Sequence, residues 1–201
     1  MNFKPLLLML GLACIPATLA AQKTYSLSSP DGNLRTTVTV GDEIRLRLDA
    51  GDTPLLAPSP VAMTLEGGEV LGQNARVVRT KKSSVDQTIA SPLYKKNRVV
   101  ERYNQLTLSF RGDFGLVVRL YDDGLAYRFT TDRKGTLRVE DECVAFTFPS
   151  DSRAVVPYVA RGKEFDFESQ FFNSFENTYT TAPITELNPG RLIFLPALVE
   201  L

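Results

Sequence analysis

Carboxylates are the side chains of this chain that could carry acid–base chemistry, because its 201 residues include no histidine. Two carboxylates held at a set separation can serve as general acid and as base or nucleophile in hydrolysis. The closest approaches to that arrangement are the pair Asp122 and Asp123 and the acidic run 140–142. The pair precedes Gly124, which is typical of a turn, and the run is typical of a solvated strand edge. Neither is predicted to be catalytic.

The composition also limits the possible metal sites. Without histidine, Ser-His-Asp and Cys-His mechanisms and histidine-ligated zinc are excluded within this chain. Its two cysteines, Cys14 and Cys143, are too few for a thiolate cluster. Any metal site must therefore use oxygen ligands, which favours calcium or magnesium. The absence of tryptophan means that a free-standing sugar-binding module would rely on tyrosine or phenylalanine for ring stacking.

Residues 1–21 are predicted to be a secretory signal peptide. Lys4 supplies a positive charge, the stretch 6–15 is apolar but too short to span a membrane, and residues 17–21 offer small side chains for cleavage. The mature protein is therefore expected in the periplasm or the medium. A lipoprotein would use Cys14, but the residues before it match that signal poorly. Cys143 then remains as the sole cysteine and is predicted to be a small buried hydrophobic residue.

The charge balance of the predicted mature chain argues against polyanionic partners. The 23 basic residues less Lys4 leave 22 against 23 acidic ones, a net charge of −1. No basic run stands out along the chain. Neither nucleic-acid binding nor a polybasic membrane anchor is therefore predicted.

The elements that must position the acidic groups are predicted to be β-strands nearly throughout. Alternation of apolar and polar residues predicts a hairpin over 34–40 and 44–48, and further strands at regular spacing between 104 and 148. Shorter strands are predicted at 61–65, after a proline-rich connection, and at 75–80. Residues 81–98 are interpreted as a loop with one extended piece. Short strands at this spacing favour a large β-sandwich, with 22–201 as one domain.

Residues 151–188, hereafter the acidic–aromatic segment, differ in character from the strands before them. Few positions alternate, and the segment interleaves acids with aromatic residues: Tyr158, Phe165, Phe167, Phe171, Phe172, Phe175 and Tyr179. A loop-rich segment of this kind on a regular scaffold is where a binding surface is expected. The alternative is that its phenylalanines cap an open end of the sandwich. The apolar run 191–201 is interpreted as a strand entering a core, and more chain is expected to follow it.

Three short motifs occur in an order that resembles a known family. They are the sequence from Ser29 to Leu34 (SPDGNL), Tyr103–Asn104 before a strand, and the block 118–129 (VRLYDDGLAYRF). Together they resemble the N-terminal domain of glycoside hydrolase family 97. The resemblance implies a β-sandwich that packs on a following (β/α)8 catalytic barrel of a secreted, calcium-dependent, exo-acting α-glucosidase or α-galactosidase. The catalytic carboxylates would lie in that barrel, outside this chain.

One site residue is implied by the same resemblance. In the family, a glutamate of this domain joins barrel glutamates around a calcium ion, within a pattern of Glu, two residues, Tyr and later a Ser/Thr–Glu pair. Glu176, Tyr179 and the pair Thr185–Glu186 match that pattern, so Glu176 is the expected calcium ligand. A solvated surface glutamate is the alternative for this residue. For the whole chain, the alternative is a free-standing secreted β-sandwich that binds a glycan or another protein.

Overall fold

A computed structural model describes residues 22–93, 95–173 and 176–201. The predicted signal peptide at 1–21 and Phe175 of the acidic–aromatic segment lie outside the described residues. The described chain folds into antiparallel strands: β1 (Lys23–Ser28), β2 (Leu34–Val40), β3 (Ile44–Ala50), β4 (Thr53–Leu65), β5 (Val70–Leu71), β6 (Val77–Ala90), β7 (Arg98–Phe110), β8 (Phe114–Tyr121), β9 (Leu125–Thr131), β10 (Val139–Val144), β11 (Arg153–Pro157), β12 (Tyr179–Pro183) and β13 (Leu198–Glu200).

Helices are few and short in the part of the chain that the structure describes. The α-helix α1 covers Phe167–Gln170, and a single 3-10 turn covers Ile184–Glu186. Within the described ranges, neither of these, nor any other helix, has the length and apolar character needed to cross a bilayer.

The strands form three sheets. The first has the order β1-β2-β3-β4-β10, with β5 paired to β4. The second has the order β6-β7-β8-β9, and the third the order β12-β11-β13. Most neighbours in the first two sheets are also neighbours in sequence, as expected of hairpins closed by short turns.

The first and second sheets face each other across one hydrophobic core. In β2 every second residue from Leu34 to Val40 is buried, as the period of a half-buried strand requires. The cluster takes its buried members from both sheets: Leu27, Leu34, Val38, Val40, Ile44, Leu46 and Val61 from the first, and Leu106, Leu108, Phe110, Leu116, Val118 and Leu120 from the second. This confirms the predicted all-β sandwich.

The interpretation of 81–98 as a loop is wrong for its first half. Strand β6 continues to Ala90 and pairs with β7 along its whole length, from Val77 opposite Phe110 to Ala90 opposite Arg98. Most β6 side chains are exposed, so they did not need to alternate in polarity. Backbone hydrogen bonds to β7 hold this edge strand, and these leave no trace in side-chain periodicity.

The proline-rich connection before residue 61 is also part of a strand. Strand β4 begins at Thr53 and includes Pro54, Pro58 and Pro60. Its pairing with β3 shifts register on both sides of Leu48, where a residue without a backbone N–H can be accommodated. The expectation from composition was therefore wrong here.

The prediction that Cys143 is buried is wrong as well. Cys143 lies in β10, whose six residues are all exposed. Strand β10 is at an edge of the first sheet, and the core cluster contains none of its side chains. An apolar-looking run at a sheet edge need not face the core.

The run 191–201 forms less strand than expected. Only Leu198–Glu200 is strand β13, which pairs with β11, and Tyr158 bridges Ile193. The apolar side chains of this run do not enter the core: Leu195 is 80% and Leu198 is 56% exposed.

Candidate functional site

The acidic pair does not form a catalytic site in this chain. Asp122 and Asp123 lie in the turn between β8 and β9, as predicted. The guanidinium of Arg102 approaches the Asp122 carboxylate at 3.8 Å. Turn formation and this exposed ion pair account for the acidic residues at this position.

The acidic run 140–142 is a solvated strand edge, as predicted. All three residues are exposed on β10. The phenol of Tyr127 donates a hydrogen bond of 3.4 Å to Glu142. Burial, followed by the negative charge of Glu142, raises the pKa of Tyr127 to about 12. The tyrosine therefore stays protonated at neutral pH and is a donor to Glu142, not a base.

The acidic–aromatic segment is organised around the third sheet. Strand β11 is central, with β12 on one side and β13 on the other. Between β11 and β12 the chain makes a long excursion that contains α1. Asp166 caps α1 by accepting from the Ser169 backbone N–H at 3.2 Å, and the Ser169 hydroxyl accepts from the Lys163 N–H at 2.9 Å.

The buried side chain of Gln170 holds this excursion in place through hydrogen bonds to the backbone. Its side chain is fully buried, with 0% exposure. The amide nitrogen donates to the carbonyls of Lys163 at 3.0 Å and Gly190 at 2.8 Å, and the amide oxygen accepts from Leu192 N–H at 2.8 Å. One side chain thus joins the start of the excursion to the chain that follows β12. Buried backbone groups need such partners because water cannot reach them.

Two further residues complete the packing around Gln170. Gly162 has a φ of +108°, and a Cβ there would lie 2.5 Å from the Gln170 Cγ atom. The Arg191 guanidinium donates to the carbonyls of Gly162 and Val159, the latter at 2.7 Å. No motif in the sequence indicates Gln170 or Arg191, because a single glutamine or arginine carries no recognisable pattern.

A carboxylate ties the start of the segment to its end. Asp151 accepts from both the backbone N–H of Thr185 at 3.0 Å and its hydroxyl at 2.7 Å. These hydrogen bonds, the backbone one first, hold the pKa of Asp151 below its usual value. The Thr185–Glu186 pair of the predicted pattern is therefore anchored through its threonine.

Four phenylalanines of the segment are at least 45% exposed. Phe172 is 99% exposed and Phe165 is 70% exposed, and both have positive φ, an unusual conformation for a bulky residue. Phe167 and Phe171 are about half exposed. The alternative that these phenylalanines cap an open end of the sandwich is therefore wrong for all four. Their exposed side chains are consistent with the predicted binding surface, which stays a prediction.

Glu176 lies on the same excursion, just before β12. It is exposed, and its neighbour Asn177 donates to the Tyr158 carbonyl at 3.0 Å. Among the described residues, no three Asp, Glu, His or Cys side chains are grouped to hold a metal ion. A surface carboxylate suits a hard cation such as calcium, which requires six or more oxygen ligands. Glu176 is therefore a candidate for one ligand of a site that further oxygen ligands would complete.

The chain matches a family profile over most of its length. The profile is Glycosyl-hydrolase 97 N-terminal, and it covers residues 27–201. The chain is also similar to a retaining alpha-galactosidase of Bacteroides thetaiotaomicron, 48% identical over 191 residues, or 94% of this chain and 29% of that protein. It is 31% identical over 163 residues to the probable retaining alpha-galactosidase of Streptomyces bingchenggensis, covering 79% of this chain and 24% of the relative. The chain thus spans less than a third of these relatives.

Solved structures show the same fold. A beta-arabinopyranosidase has a TM-score of 0.69 at 20% identity, covering 83% of this chain and 28% of that one. A family 97 enzyme of Pseudoalteromonas sp. strain K8, solved with acarbose, has a TM-score of 0.68 at 14% identity, covering 88% of this chain and 26% of that one.

Proposed function

Because the chain belongs to the glycosyl-hydrolase 97 N-terminal family, we propose that it is the non-catalytic N-terminal domain of a secreted, calcium-dependent, exo-acting α-glycosidase. Its role is to pack on a following catalytic barrel and to complete the active site there. α-Galactosidase is the activity that we propose for the whole protein.

The similarity to a retaining alpha-galactosidase carries this proposal. Nearly half of the residues are identical over 94% of the chain, and the chain corresponds to 29% of that protein. The acidic groups of this chain support a non-catalytic role, because the turn pair at Asp122 and the edge run at 140–142 have structural explanations. The catalytic carboxylates are proposed to lie in the remainder of the protein.

The exposed apolar residues of the third-sheet region support the packing on a second domain. Phe165, Phe171 and Phe172 lie on the excursion, and Leu195, Leu198 and Leu201 lie on the run that ends this sequence; all six are more than half exposed. A surface with this many large apolar side chains is typical of an interface. The following barrel is the proposed occupant.

Calcium is the proposed cofactor, with Glu176 as the ligand from this domain. Bound calcium would supply positive charge next to the reacting sugar. The chain contributes the position of the ligand, because the Gln170–Gly190 and Asp151–Thr185 contacts hold the chain before and after Glu176. An oligosaccharide is the proposed substrate of the whole enzyme.

The first experiment tests the activity. The whole protein, secreted by its native host, is assayed on 4-nitrophenyl α-galactoside and α-glucoside with calcium and with a chelator. Hydrolysis of the galactoside that falls on chelation and returns with calcium is expected. The intact mass of the product should also correspond to a start at Gln22. A mature product that ends near Leu201 and binds glycan without hydrolysis would instead support the free-standing module.

The second experiment tests the metal ligand. Glu176→Gln keeps the shape of the side chain and removes its charge, so we expect weaker calcium binding by calorimetry and a higher calcium requirement for activity. Loss of one charged ligand should cost on the order of 1–3 kcal/mol, which is about 5- to 150-fold in affinity. Glu168→Gln, on the exposed face of α1, is the matched control. Equal calcium affinity in the two variants would contradict the assignment of Glu176.

A further inference from the structure

A cleft of about 470 Å³ opens at one end of the sandwich. Its lining residues all precede the acidic–aromatic segment in the sequence. It is formed where β1 begins, β2 ends, β6 begins and β7 ends. Its volume is within the range of roughly 300–1,000 Å³ that is usual for small-molecule sites. Neither Glu176 nor the exposed phenylalanines and leucines of the third-sheet region line it.

The charge of this cleft is entirely positive. Lys23, Arg76 and Arg111 line it, and none of its described lining residues is acidic. Within the described parts of the chain, none of the three forms an ion pair, although arginines elsewhere pair with carboxylates. Three unpaired cations around one cleft repel each other, in a chain whose mature net charge is −1. An anion in the cleft would relieve that repulsion.

The two arginines are held together by the backbone. The N–H of Arg111 donates to the carbonyl of Arg76 at 2.9 Å, which joins the end of β7 to the loop before β6. The nearby loop is also fixed, because Asn74 N–H donates to the Asp42 carbonyl at 2.8 Å. The guanidinium groups therefore extend from anchored positions. Guanidinium is the side chain best suited to bidentate recognition of a carboxylate.

The floor of the cleft is apolar. Val40 is a buried member of the core cluster, and Ala75 and Val77 pack against that cluster. Exposed Val78 adds a further apolar wall. A ligand that fills this space needs an anionic group to contact Arg76 and Arg111 and a C–H-rich face to contact the valines. An acidic sugar has both features.

We infer that this cleft binds a carboxylate-bearing saccharide, with Arg76 and Arg111 on the carboxylate and the sugar ring against Val40 and Val77. The inference rests on the proposed function in one respect, because a glycan-degrading parent enzyme makes a saccharide the relevant anion.

The test uses the processed whole protein and three probes: digalacturonate, neutral galactobiose and inorganic sulfate, titrated by calorimetry at low ionic strength. Saturable binding of digalacturonate is expected, with weakening at high salt, and much weaker binding of the other two. The double variant Arg76→Ala/Arg111→Ala should bind digalacturonate at least about ten-fold more weakly. The control is Arg98→Ala/Arg128→Ala, which removes the same charge from two exposed arginines outside the cleft.

Several outcomes would overturn the inference. Absence of binding would show that another part of the protein covers the cleft or that no saccharide uses it. An equal loss of digalacturonate affinity in the control variant would show a general effect of charge. Sulfate binding as tight as that of digalacturonate would show an anion site that does not recognise the sugar. Hydrolysis of 4-nitrophenyl α-galactoside is measured on the same samples. An active enzyme without digalacturonate binding refutes the cleft alone, whereas binding by an inactive protein refutes the proposed function alone.

Discussion

The backbone N–H of Asp31 donates to the carboxylate of Asp122 over 2.9 Å, joining residues 91 positions apart. Asp31 lies in the turn after β1 of the first sheet, and Asp122 follows β8 of the second. The two most distinctive motifs of the sequence, 29–34 and 118–129, therefore meet at one end of the sandwich. The hydrogen bond between Asp31 and Asp122 links the two sheets, hereafter the clamp. This structural role explains the acidic residue at position 122 without a catalytic one.

We expect Asp122→Ala to destabilise the protein by about 1 kcal/mol, because it removes the acceptor that joins the two turns. A change of this size lowers the melting temperature by roughly 2–4 °C in a domain of this length. Asp123→Ala is the matched control, since Asp123 lies in the same turn and the described residues give it no hydrogen bond to lose. Equal melting temperatures for the two variants would argue against the clamp.

The Asp151 contact predicts a pH-dependent contribution to stability. Its hydrogen bonds from Thr185 lower its pKa in the folded state, so the contribution is fully present above the unfolded value of 3.8. It is lost as the pH falls through the lower, folded pKa. The melting temperature of Asp151→Asn should therefore be lower than that of the native protein near pH 6, and the gap should narrow as the pH falls below 3.8.

The matched control for that experiment is Asp52→Asn, in the turn between β3 and β4, which makes no hydrogen bond among the described residues. Its melting curve should follow the native protein at every pH. A gap for Asp151→Asn that stays constant over the whole range would show that the effect is steric and not linked to protonation.

Gln170→Leu should loosen the whole excursion between β11 and β12. The substitution fills similar space but leaves the Leu192 N–H without its acceptor, whereas the Gly190 carbonyl keeps the backbone N–H of Phe165 at 2.9 Å. A buried N–H left unpaired costs about 1–3 kcal/mol, so urea denaturation should show a loss of about that size and limited proteolysis should cut the excursion. Gln87→Leu, an exposed position on β6, is expected to do neither.

Gly162→Ala should be more harmful than the same change at Gly67. Both residues have positive φ, so both substitutions strain the backbone. Only at Gly162 does the new Cβ collide, at 2.8 Å from the Ser169 carbonyl oxygen, whereas Gly67 has nothing within 4 Å. We expect Gly162→Ala to cost about 1–3 kcal/mol more, measured by urea denaturation. Equal costs would show that the packing around Gln170 yields easily.

Cys143 should react with a thiol reagent in the folded protein. Its exposure on β10 contradicts the buried position that its sequence context suggested. Labelling of the native protein by a maleimide, followed by digestion and mass spectrometry, should therefore modify the peptide that contains Cys143 without denaturant. Labelling that requires denaturant would show that the remainder of the protein covers this edge.

The sequence predicted the sandwich well because its core strands carry apolar side chains on one face and polar side chains on the other, as in β2. It predicted β6 badly because both faces of that strand are wet, and hydrogen bonds to β7 need no side-chain pattern. The site was predicted less completely. Glu176 came from the family resemblance, whereas Gln170 acts through backbone groups of residues 7 and 20 positions away, which only the folded chain brings together.

All residues of the core cluster lie within the first 129 positions of the chain. Its last fully enclosed member is Leu120 and its last partial one is Phe129, while the third sheet needs residues up to Glu200. A polypeptide that emerges from its N-terminus can therefore close the sandwich before the excursion exists. The acidic–aromatic segment then assembles on a finished platform, and any segment that follows meets that surface last. The order of synthesis thus matches the order in which a scaffold, its contact face and a catalytic neighbour would have to form.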